Sequence, residues 1–312
     1  MLQQGHITVL GVFVADTAYR ANRPPRMGET ILGNSFALGP GGKGSNQSVA
    51  IARLGGDVTM LTRLGDDAFA DMAETTWRDA GVKSAAVRDP SNYTGAAYIF
   101  VEESSGDNAI IICPGAASDI GPDDIDTNED LIKQSSVFMT QLEQSLPAAV
   151  HGLRLAKQNG VQTILNPAPA PASPLDASVL QLCDFITPNE TEAGELSGTK
   201  VDSMDSARGA AQKLVQAGVG TAIITLGEQG ALLHSEDQTL HFPAVSAGPV
   251  VETTGAGDAF NGGLAVGLSR GLDVEEAVRL GCATAGISVT RADAAPSMPT
   301  ADEVEKLLVQ MR

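Results

Sequence analysis

Short runs of β-branched and aliphatic residues alternate along the chain with longer segments whose apolar positions recur at helical spacing. This alternation is typical of an α/β fold with a mostly parallel sheet. Gly55 and Gly81 directly follow two of the helical segments, as glycines often do where a helix ends. The pattern predicts strands at Ile7–Val14, Val58–Leu61, Val137–Met139, Gln162–Leu165, Phe185–Thr187 and Ala222–Thr225, and helices at Ser45–Leu54, Phe69–Ala80, Ala148–Gln158, Ala207–Ala217 and Glu275–Val289.

Two stretches interrupt the alternation, at residues 16–40 and 92–113, because they contain extended pieces without an intervening helix. We expect them to form a small β-sheet that projects from the main body as a lid. The chain is therefore predicted to be one domain, residues 1–312, with this lid as its appendage. The extended pieces are predicted at Glu29–Phe36, Ala96–Val101 and Ala109–Cys113.

Composition narrows the class of protein. The chain has 312 residues, of which 43% are hydrophobic, enough for a substantial core, so disorder is excluded as its main state. Acidic residues outnumber basic ones by 38 to 20, and a net charge of −18 repels nucleic acid and anionic membranes. Three scattered cysteines, the lack of a basic signal-peptide start and the lack of a long apolar run lead us to expect a soluble cytoplasmic protein without zinc or disulfides.

A first glycine cluster, Gly39–Gly44, satisfies the dinucleotide pattern G-x-G-x-x-G. A dinucleotide site belongs directly after the first strand, whereas here an extended stretch intervenes, and a P-loop would need Ser or Thr after Lys43. The cluster still opens a helix, where backbone N–H groups can approach a polar ligand and both Lys43 and Asn46 lie within one turn. The alternative is a glycine-rich turn without a ligand.

A second cluster, Gly255–Asp258, begins another predicted helix. Several N–H groups at a helix N-terminus make a phosphate or oxyanion hole, and they favour an ionised Asp258 that accepts a proton. Gly262, Gly263 and Gly267 would each cost about 1 kcal/mol in that helix, a cost tolerated where backbones pack closely. The alternative is an aspartate that merely caps a glycine-spaced helix.

Polar side chains also follow three predicted strands, at Glu143, Asn166 and Asn189–Glu192. The carboxyl ends of parallel strands converge on one crevice, which is where ligands bind in this class of fold. Singly, each residue is more typical of a cap or a solvated loop. Together with the two helix starts, they favour a binding cleft.

The segments Gly41–Gln47 (GGKGSNQ) and Thr253–Gly262 (TTGAGDAFNG) resemble the paired signatures of the ribokinase (PfkB-type) carbohydrate kinases. Further similar motifs lie between them, and the resemblance runs from about Ile7 to Pro299. It implies a ribokinase-like α/β/α sandwich with a mostly parallel central sheet and a β-sheet lid, and homodimerisation through the lids. The intervening motifs are Leu165–Ala170, Thr187–Ala193, and Thr225–Gly227 with Gly230.

The resemblance also implies roles for individual residues. Asp258 would be the base that takes the proton from the attacking hydroxyl, and Gly255, Ala256 and Gly257 would form the anion hole for the transferring phosphoryl group. Glu192 would organise Mg²⁺, through water. The residues implied to hold the sugar are Asp16, Gly42, Lys43, Asn46 and Glu143. Those implied to border the nucleotide are Asn189, Thr225, Gly227, Gly230 and Cys282. Those of an implied K⁺ loop are Glu252, Thr254, Val289 and Ser297.

Three positions depart from the family pattern. Ribose-specific members carry Asn where this chain has Val14, so one hydroxyl contact is lost, and an apolar wall suits a ligand with fewer hydroxyls. Glu252 stands in place of the usual Asp, and Asp293 in place of a small residue, so K⁺ activation is an open expectation.

The activity implied is ATP-dependent transfer of the γ-phosphoryl group to a primary hydroxyl of a small sugar, D-ribose first, with Mg²⁺ and with K⁺ as an option. A nucleoside kinase or another sugar kinase of the same family is the main alternative. A catalytically silent sugar-binding protein and a dehydrogenase built on Gly39–Gly44 are weaker alternatives.

Overall fold

The computed structural model describes residues 5–171 and 173–311, so residues 1–4, 172 and 312 of the predicted domain lie outside the described residues. Strands and helices alternate over most of it. The strands are β1 (His6–Leu10), β2 (Val14–Ala21), β3 (Ser35–Gly41), β4 (Asp57–Gly65), β5 (Lys83–Asp89), β6 (Thr94–Glu102), β7 (Asn108–Gly115), β8 (Val137–Thr140), β9 (Gln162–Leu165), β10 (Phe185–Ile186), β11 (Thr221–Thr225), β12 (Ala231–Ser235) and β13 (Thr239–Phe242). The helices are α1 (Lys43–Arg53), α2 (Ala68–Ala80), α3 (Pro122–Thr127), α4 (Glu129–Lys133), α5 (Leu146–Gln158), α6 (Ala177–Leu180), α7 (Glu190–Ser197), α8 (Met204–Gln216), α9 (Ala256–Ser269), α10 (Val274–Ser288) and α11 (Ala301–Gln310).

Within the described ranges the main sheet has nine strands in the order β13-β12-β11-β10-β9-β8-β1-β4-β5. The pairs from β11 to β5 are parallel, and β12 and β13 add an antiparallel edge. Helices cover both faces, because Ile7 and Val9 of β1 pack in one buried cluster with α1, α2, α9 and α10, while Leu10 packs in a second with α5 and α8. The predicted α/β class with a mostly parallel sheet is confirmed.

The four remaining described strands form a separate small sheet in the order β3-β2-β6-β7. The pairs β2/β3 and β6/β7 are antiparallel, and β2/β6 is parallel. A sheet without an intervening helix was expected from residues 16–40 and 92–113, and its strands span slightly wider limits, residues 14–21, 35–41, 94–102 and 108–115.

Two predicted strands were wrong. The strand Ile7–Val14 is broken, because the chain leaves the main sheet after Leu10 and Val14 begins the small sheet. The break coincides with a close approach to α1, since at Gly11 a Cβ would lie 2.8 Å from the Cα of Gly44 and no side chain would fit. The extended piece predicted at Glu29–Phe36 begins only at Ser35 and continues to Gly41, since the preceding residues form turns and loop.

The glycines inside α9 mark close backbone packing, as expected. A Cβ on Gly263 would lie 2.8 Å from the Cα of Gly281 in α10, and one on Gly262 would lie 2.5 Å from the Cβ of Ala50 in α1. The helix therefore packs closely against both α1 and α10. Among residues 5–171 and 173–311, no helix has both the length and the apolar character needed to cross a lipid bilayer.

Candidate active site

The site lies where the strand order of the main sheet reverses. The chain runs from β1 to β4 and β5 on one side and then crosses to β8 on the other side of β1, so connections diverge around the carboxyl end of β1. A crevice at such a switch point is the usual ligand site of doubly wound sheets. The two helices that begin at the predicted glycine clusters, α1 and α9, both start there and pack against each other.

The start of α1 is shaped by close backbone contacts. Gly42 has φ +89, and a Cβ there would lie 2.5 Å from the carbonyl oxygen of Val12, so only glycine fits without strain. The backbone N–H of Lys43, the first residue of α1, then donates to Glu143 Oε2 at 2.7 Å. Glu143 follows β8, and this bond joins the helix start to the neighbouring strand end.

Asp258 lies in the first turn of α9, and its buried carboxylate faces α1. Asn46 Nδ2 donates to one of its oxygens and Gln47 Nε2 to the other, each at 3.0 Å. The two sequence-distant glycine clusters therefore meet around one carboxylate. Asn46 Oδ1 is buried and has no hydrogen-bond partner among the described residues, so it is available to a ligand's hydroxyl donor.

The charges at this junction are coupled. Burial raises the pKa of Asp258, opposed by Lys43 and by the two amide donors. Desolvation of the carboxylate is the largest of these effects, and it favours the neutral form. Burial would lower the pKa of Lys43, but the carboxylates of Asp258, Glu143 and Glu192 outweigh it and leave that pKa raised, so the lysine stays protonated.

Two further carboxylates have unusual proton affinities. Burial raises the pKa of Glu143 to about 7, against the pull of Lys43. Burial raises the pKa of Asp16, on β2, to about 6, and its carboxylate has no hydrogen-bond partner in the described part of the chain. A Cβ on Gly41 would collide with that carboxylate, so the glycine of β3 makes room for it.

The N-terminus of α9 has the character of an anion site. Gly255 caps the helix with φ +76, and the N–H groups of Gly257 and Asp258 have no acceptor in the described part of the chain. A Cβ on Gly257 would meet nothing within 4 Å, so the space beside it is open. Ala256 is the exception among the predicted anion-hole residues, because its N–H donates to the carbonyl of Thr253 at 3.1 Å.

Asn189 and Glu192 form the start of α7 and bind each other. The backbone N–H of Asn189 donates to Glu192 Oε2 at 2.9 Å, and its Nδ2 donates to Oε1 at 3.1 Å. Burial raises the pKa of Glu192, and Asn189 and Lys43 oppose that shift. One such carboxylate fits a Mg²⁺ that is held through waters and phosphate oxygens, the usual arrangement for this ion, better than a cage of protein ligands.

The residues predicted to border a nucleotide gather at the end of β11. Thr225 pairs with Asn189 in an isolated bridge, and Gly227 and Gly230 follow with φ +52 and +94. Cys282 is buried in α10, where burial raises its thiol pKa to about 12. The thiol is therefore neutral and packs, in line with the expectation that it does no chemistry.

Of the four predicted K⁺-loop residues, Glu252 and Val289 are hydrogen-bonded to each other. Glu252 Oε2 accepts from the backbone N–H of Asp293 at 3.0 Å, and its own N–H donates to the carbonyl of Val289 at 3.2 Å. Asp293 is a non-glycine residue in the left-handed region, with φ +66. Ser297 donates to the carbonyl of Ala294 at 2.8 Å, and no hydrogen bond joins Thr254 to this group among the described residues.

Sequence reasoning singled out Asn166 but missed the other buried polar residues that lie with it behind Asp258. Together they form one hydrogen-bonded chain. Gln141, like Asn166, follows a strand, which was the available signal, whereas Gln47 and Asn261 lie inside helices and gave none. The residues are Gln47, Gln141, Asn166, Thr187 and Asn261.

The family profile described as pfkB family carbohydrate kinase matches residues 5–301. The chain belongs to this family. The predicted phosphotransferase class, with an alcohol group as acceptor, and the ribokinase-like fold are thereby confirmed.

Individual relatives agree with the family. A deoxyribokinase of Salmonella typhi is 39% identical over 303 residues, which cover 97% of this chain and 98% of that protein. A ribokinase of Haemophilus influenzae is 36% identical over 303 residues, with the same coverage. The structure of Arabidopsis thaliana ribokinase complexed with ribose and ATP superimposes with a TM-score of 0.91 at 30% identity, covering 98% of this chain and 99% of that one.

Proposed function

We propose that this protein transfers the γ-phosphoryl group of ATP to the primary hydroxyl of a pentose, with D-ribose as the first candidate. The observation that carries the proposal is the junction of α1 and α9, where Lys43 interacts with the charge of Asp258 beside the open N-terminus of α9. The Arabidopsis relative, complexed with ribose and ATP, supports both substrates.

In the proposed reaction, Asp258 accepts the proton of the primary hydroxyl while the hydroxyl oxygen attacks the γ-phosphorus and the bond to the leaving ADP oxygen breaks. The N–H groups of Gly257 and Asp258 and the ammonium of Lys43 stabilise the negative charge on the transferring group. Asp16, Glu143 and Asn46 accept hydrogen bonds from the sugar. Mg²⁺, organised through water by Glu192, would neutralise phosphate charge when bound.

A second candidate substrate is 2-deoxy-D-ribose, favoured by Val14. This side chain is buried at the start of β2, where it pairs with Gly41 and lies on the same face of the strand as Asp16. It offers no hydrogen bond, so a pentose that lacks one hydroxyl loses nothing there. The Salmonella relative named deoxyribokinase supports this candidate. Nucleosides remain the third.

A panel of substrates tests the proposal. ADP release is measured with D-ribose, 2-deoxy-D-ribose, hexoses and nucleosides, and the phosphorylated carbon is identified by ³¹P and ¹³C NMR. A pentose 5-phosphate as the main product supports the proposal. A higher kcat/KM for a nucleoside than for either pentose would overturn it.

Potassium is part of the proposal, with Glu252, Thr254, Val289 and Ser297 as its expected ligands. The carboxylate of Glu252 is already held by Asp293, so K⁺ would add to an existing contact between the two loops. The panel is repeated with KCl and with equimolar NaCl. Equal rates in both salts would remove the K⁺ loop from the proposal.

We also propose a homodimer formed through the small sheets. Strand register places Leu38, Tyr98 and Ile111 on one face, where they are 44%, 36% and 63% exposed, and Tyr19 and Phe36 extend that apolar face. Apolar surface of this extent is typical of an interface. Ile111→Ser should shift sedimentation toward the monomer, and Val309→Ser, on exposed α11, should not. A monomeric wild-type chain would overturn the dimer.

The cytoplasmic location of the protein stays a prediction.

A further inference from the structure

The hydrogen-bonded chain behind Asp258 has its centre at Gln47, which the proposed mechanism does not use. Gln47 is 0% exposed, so it cannot touch a ligand. Its Nε2 donates both to Asp258 Oδ1 and to Asn166 Oδ1, each at 3.0 Å, and its Oε1 accepts from Gln141 Nε2 at 2.5 Å. All of the hydrogen-bonding capacity visible at this side chain is directed toward the carboxylate and its neighbours.

The direction of these bonds is determined by a backbone carbonyl. The carbonyl oxygen of Thr187 can only accept, so Asn166 must turn Nδ2 toward it, at 3.0 Å. Asn166 then presents Oδ1 to Gln47, and because this oxygen can only accept, the NH₂ group of Gln47 must donate to it. The same NH₂ group has its second hydrogen for Asp258, while Gln141 satisfies the remaining oxygen. Gln47 is therefore held as a donor toward Asp258.

We propose that Gln47, oriented by Gln141 and Asn166, is a positioning residue for Asp258 that fixes the plane of its carboxylate and stabilises its ionised form. The inference rests on the proposed role of Asp258 as the base. Since Asn46 holds the other carboxylate oxygen, the carboxylate cannot rotate without breaking a buried hydrogen bond. Hydrogen bonds that favour the charged form oppose the desolvation that raises the pKa of Asp258.

Other charged groups also face Asp258, namely Lys43 on α1, Glu143 after β8 and Glu192 on α7. The test variants keep these three charged groups and replace only buried glutamine side chains. Gln47→Met keeps the length of the side chain and removes both donated bonds. Gln141→Met leaves Gln47 and its two donated bonds but removes the donor to Gln47 Oε1, which weakens the hold on its orientation.

Gln144→Met is the matched control. Gln144 is another buried glutamine after β8, and it donates to Thr140 Oγ1 at 2.6 Å and to the carbonyl of Gln141 at 2.7 Å, without contact to Asp258. A purely structural effect of losing a buried amide should appear equally in this variant. Thermal melting of all three variants monitors folding.

The full-length variants are assayed for kcat and sugar KM between about pH 5 and 9. For Gln47→Met we expect kcat near pH 7 to fall roughly tenfold and the acid limb of its profile to move up by about one pH unit, with sugar KM within about twofold. Gln141→Met should shift the profile less in the same direction, and Gln144→Met not at all. If Gln47→Met does not fold, the pH profile of Gln141→Met tests the inference instead.

A profile for Gln47→Met that coincides with wild type, or a rise in KM at constant kcat, overturns the inference. The carboxyl ¹³C resonance of Asp258, assigned with Asp258→Asn, gives a second readout that needs no turnover. Its pKa should be higher in Gln47→Met than in wild type. If wild type phosphorylates no sugar, the proposed function fails, whereas an unchanged Asp258 pKa defeats only the role of Gln47.

Discussion

The two aspartates of the site, Asp258 at the α1–α9 junction and Asp16 on the small sheet, differ in burial and in the hydrogen bonds they accept. Asp258 is buried and receives a hydrogen bond on each oxygen, from Asn46 and from Gln47. Asp16 is half-buried, and its carboxylate accepts no hydrogen bond within the described residues. The protein itself supplies a hydrogen-bond donor to each oxygen of Asp258, whereas donors to the carboxylate of Asp16 must come from a ligand.

This difference separates two tasks. A base must be held in one geometry before the reaction, since reorganisation during the transition state costs rate. A binding carboxylate gains most if its hydrogen-bond partners come from the ligand, because a buried unpaired acceptor is costly. The α1–α9 junction thus fits chemistry, and the small sheet fits recognition, so changes in the two regions should affect kcat and KM differently.

The largest effect is expected from Asp258→Asn, which removes the proposed base and keeps the size of the side chain. We expect kcat to fall roughly 10³-fold, the usual contribution of a positioned general base. Sugar affinity, measured by calorimetry, should change much less. Unchanged sugar-dependent ATP turnover would mean that Asp258 is not the base.

Asp16→Asn should act on binding. The loss of charged acceptors for sugar hydroxyls should raise sugar KM about 10- to 100-fold with a smaller change in kcat. Because burial raises the pKa of Asp16, its charge destabilises the fold at neutral pH, so the variant's Tm should rise. Asp107→Asn, in the exposed turn between β6 and β7, is the control. A fall in kcat alone would reverse the roles assigned to the two regions.

The carboxyl groups of Glu143 and Asp16 predict a pH dependence of sugar binding. With pKa values of about 7 for Glu143 and about 6 for Asp16, both groups become neutral as pH falls through this window and accept hydroxyl hydrogen bonds more weakly. Sugar KM should therefore rise about tenfold from pH 8 to pH 6. Glu143→Gln should flatten the upper part of this rise. A KM independent of pH across the window would contradict these shifts.

The smallest effect is expected at Val14. Val14→Asn adds an amide beside Asp16 and should change the ratio of kcat/KM for D-ribose over 2-deoxy-D-ribose by roughly fivefold in favour of ribose, the value of one neutral hydrogen bond. Val14→Ala, which removes methyl groups without adding a donor, should affect both sugars alike. A ratio that moves equally in both variants would show that Val14 acts by packing alone.

Much of the fold and part of the site were predictable from sequence. The helices α1, α2, α5 and α10 lie within two residues of the predicted limits, because their apolar spacing and end signals are local. The meeting of Lys43 and Asp258 was predicted from paired motifs and is seen in the structure. The break after Leu10 was not, since an apolar run does not reveal that Gly11 must pass close to Gly44.

Sequence alone determined the class of fold and the two helices that begin at glycine clusters, because glycine spacing and hydrophobic period are local properties of the chain. Only the tertiary structure decided that Gln47 donates a hydrogen bond to Asp258, and that burial raises the pKa of that aspartate against Lys43 and two amide donors. Hydrogen-bond partners and desolvation depend on segments far apart in the chain, and no local pattern records them.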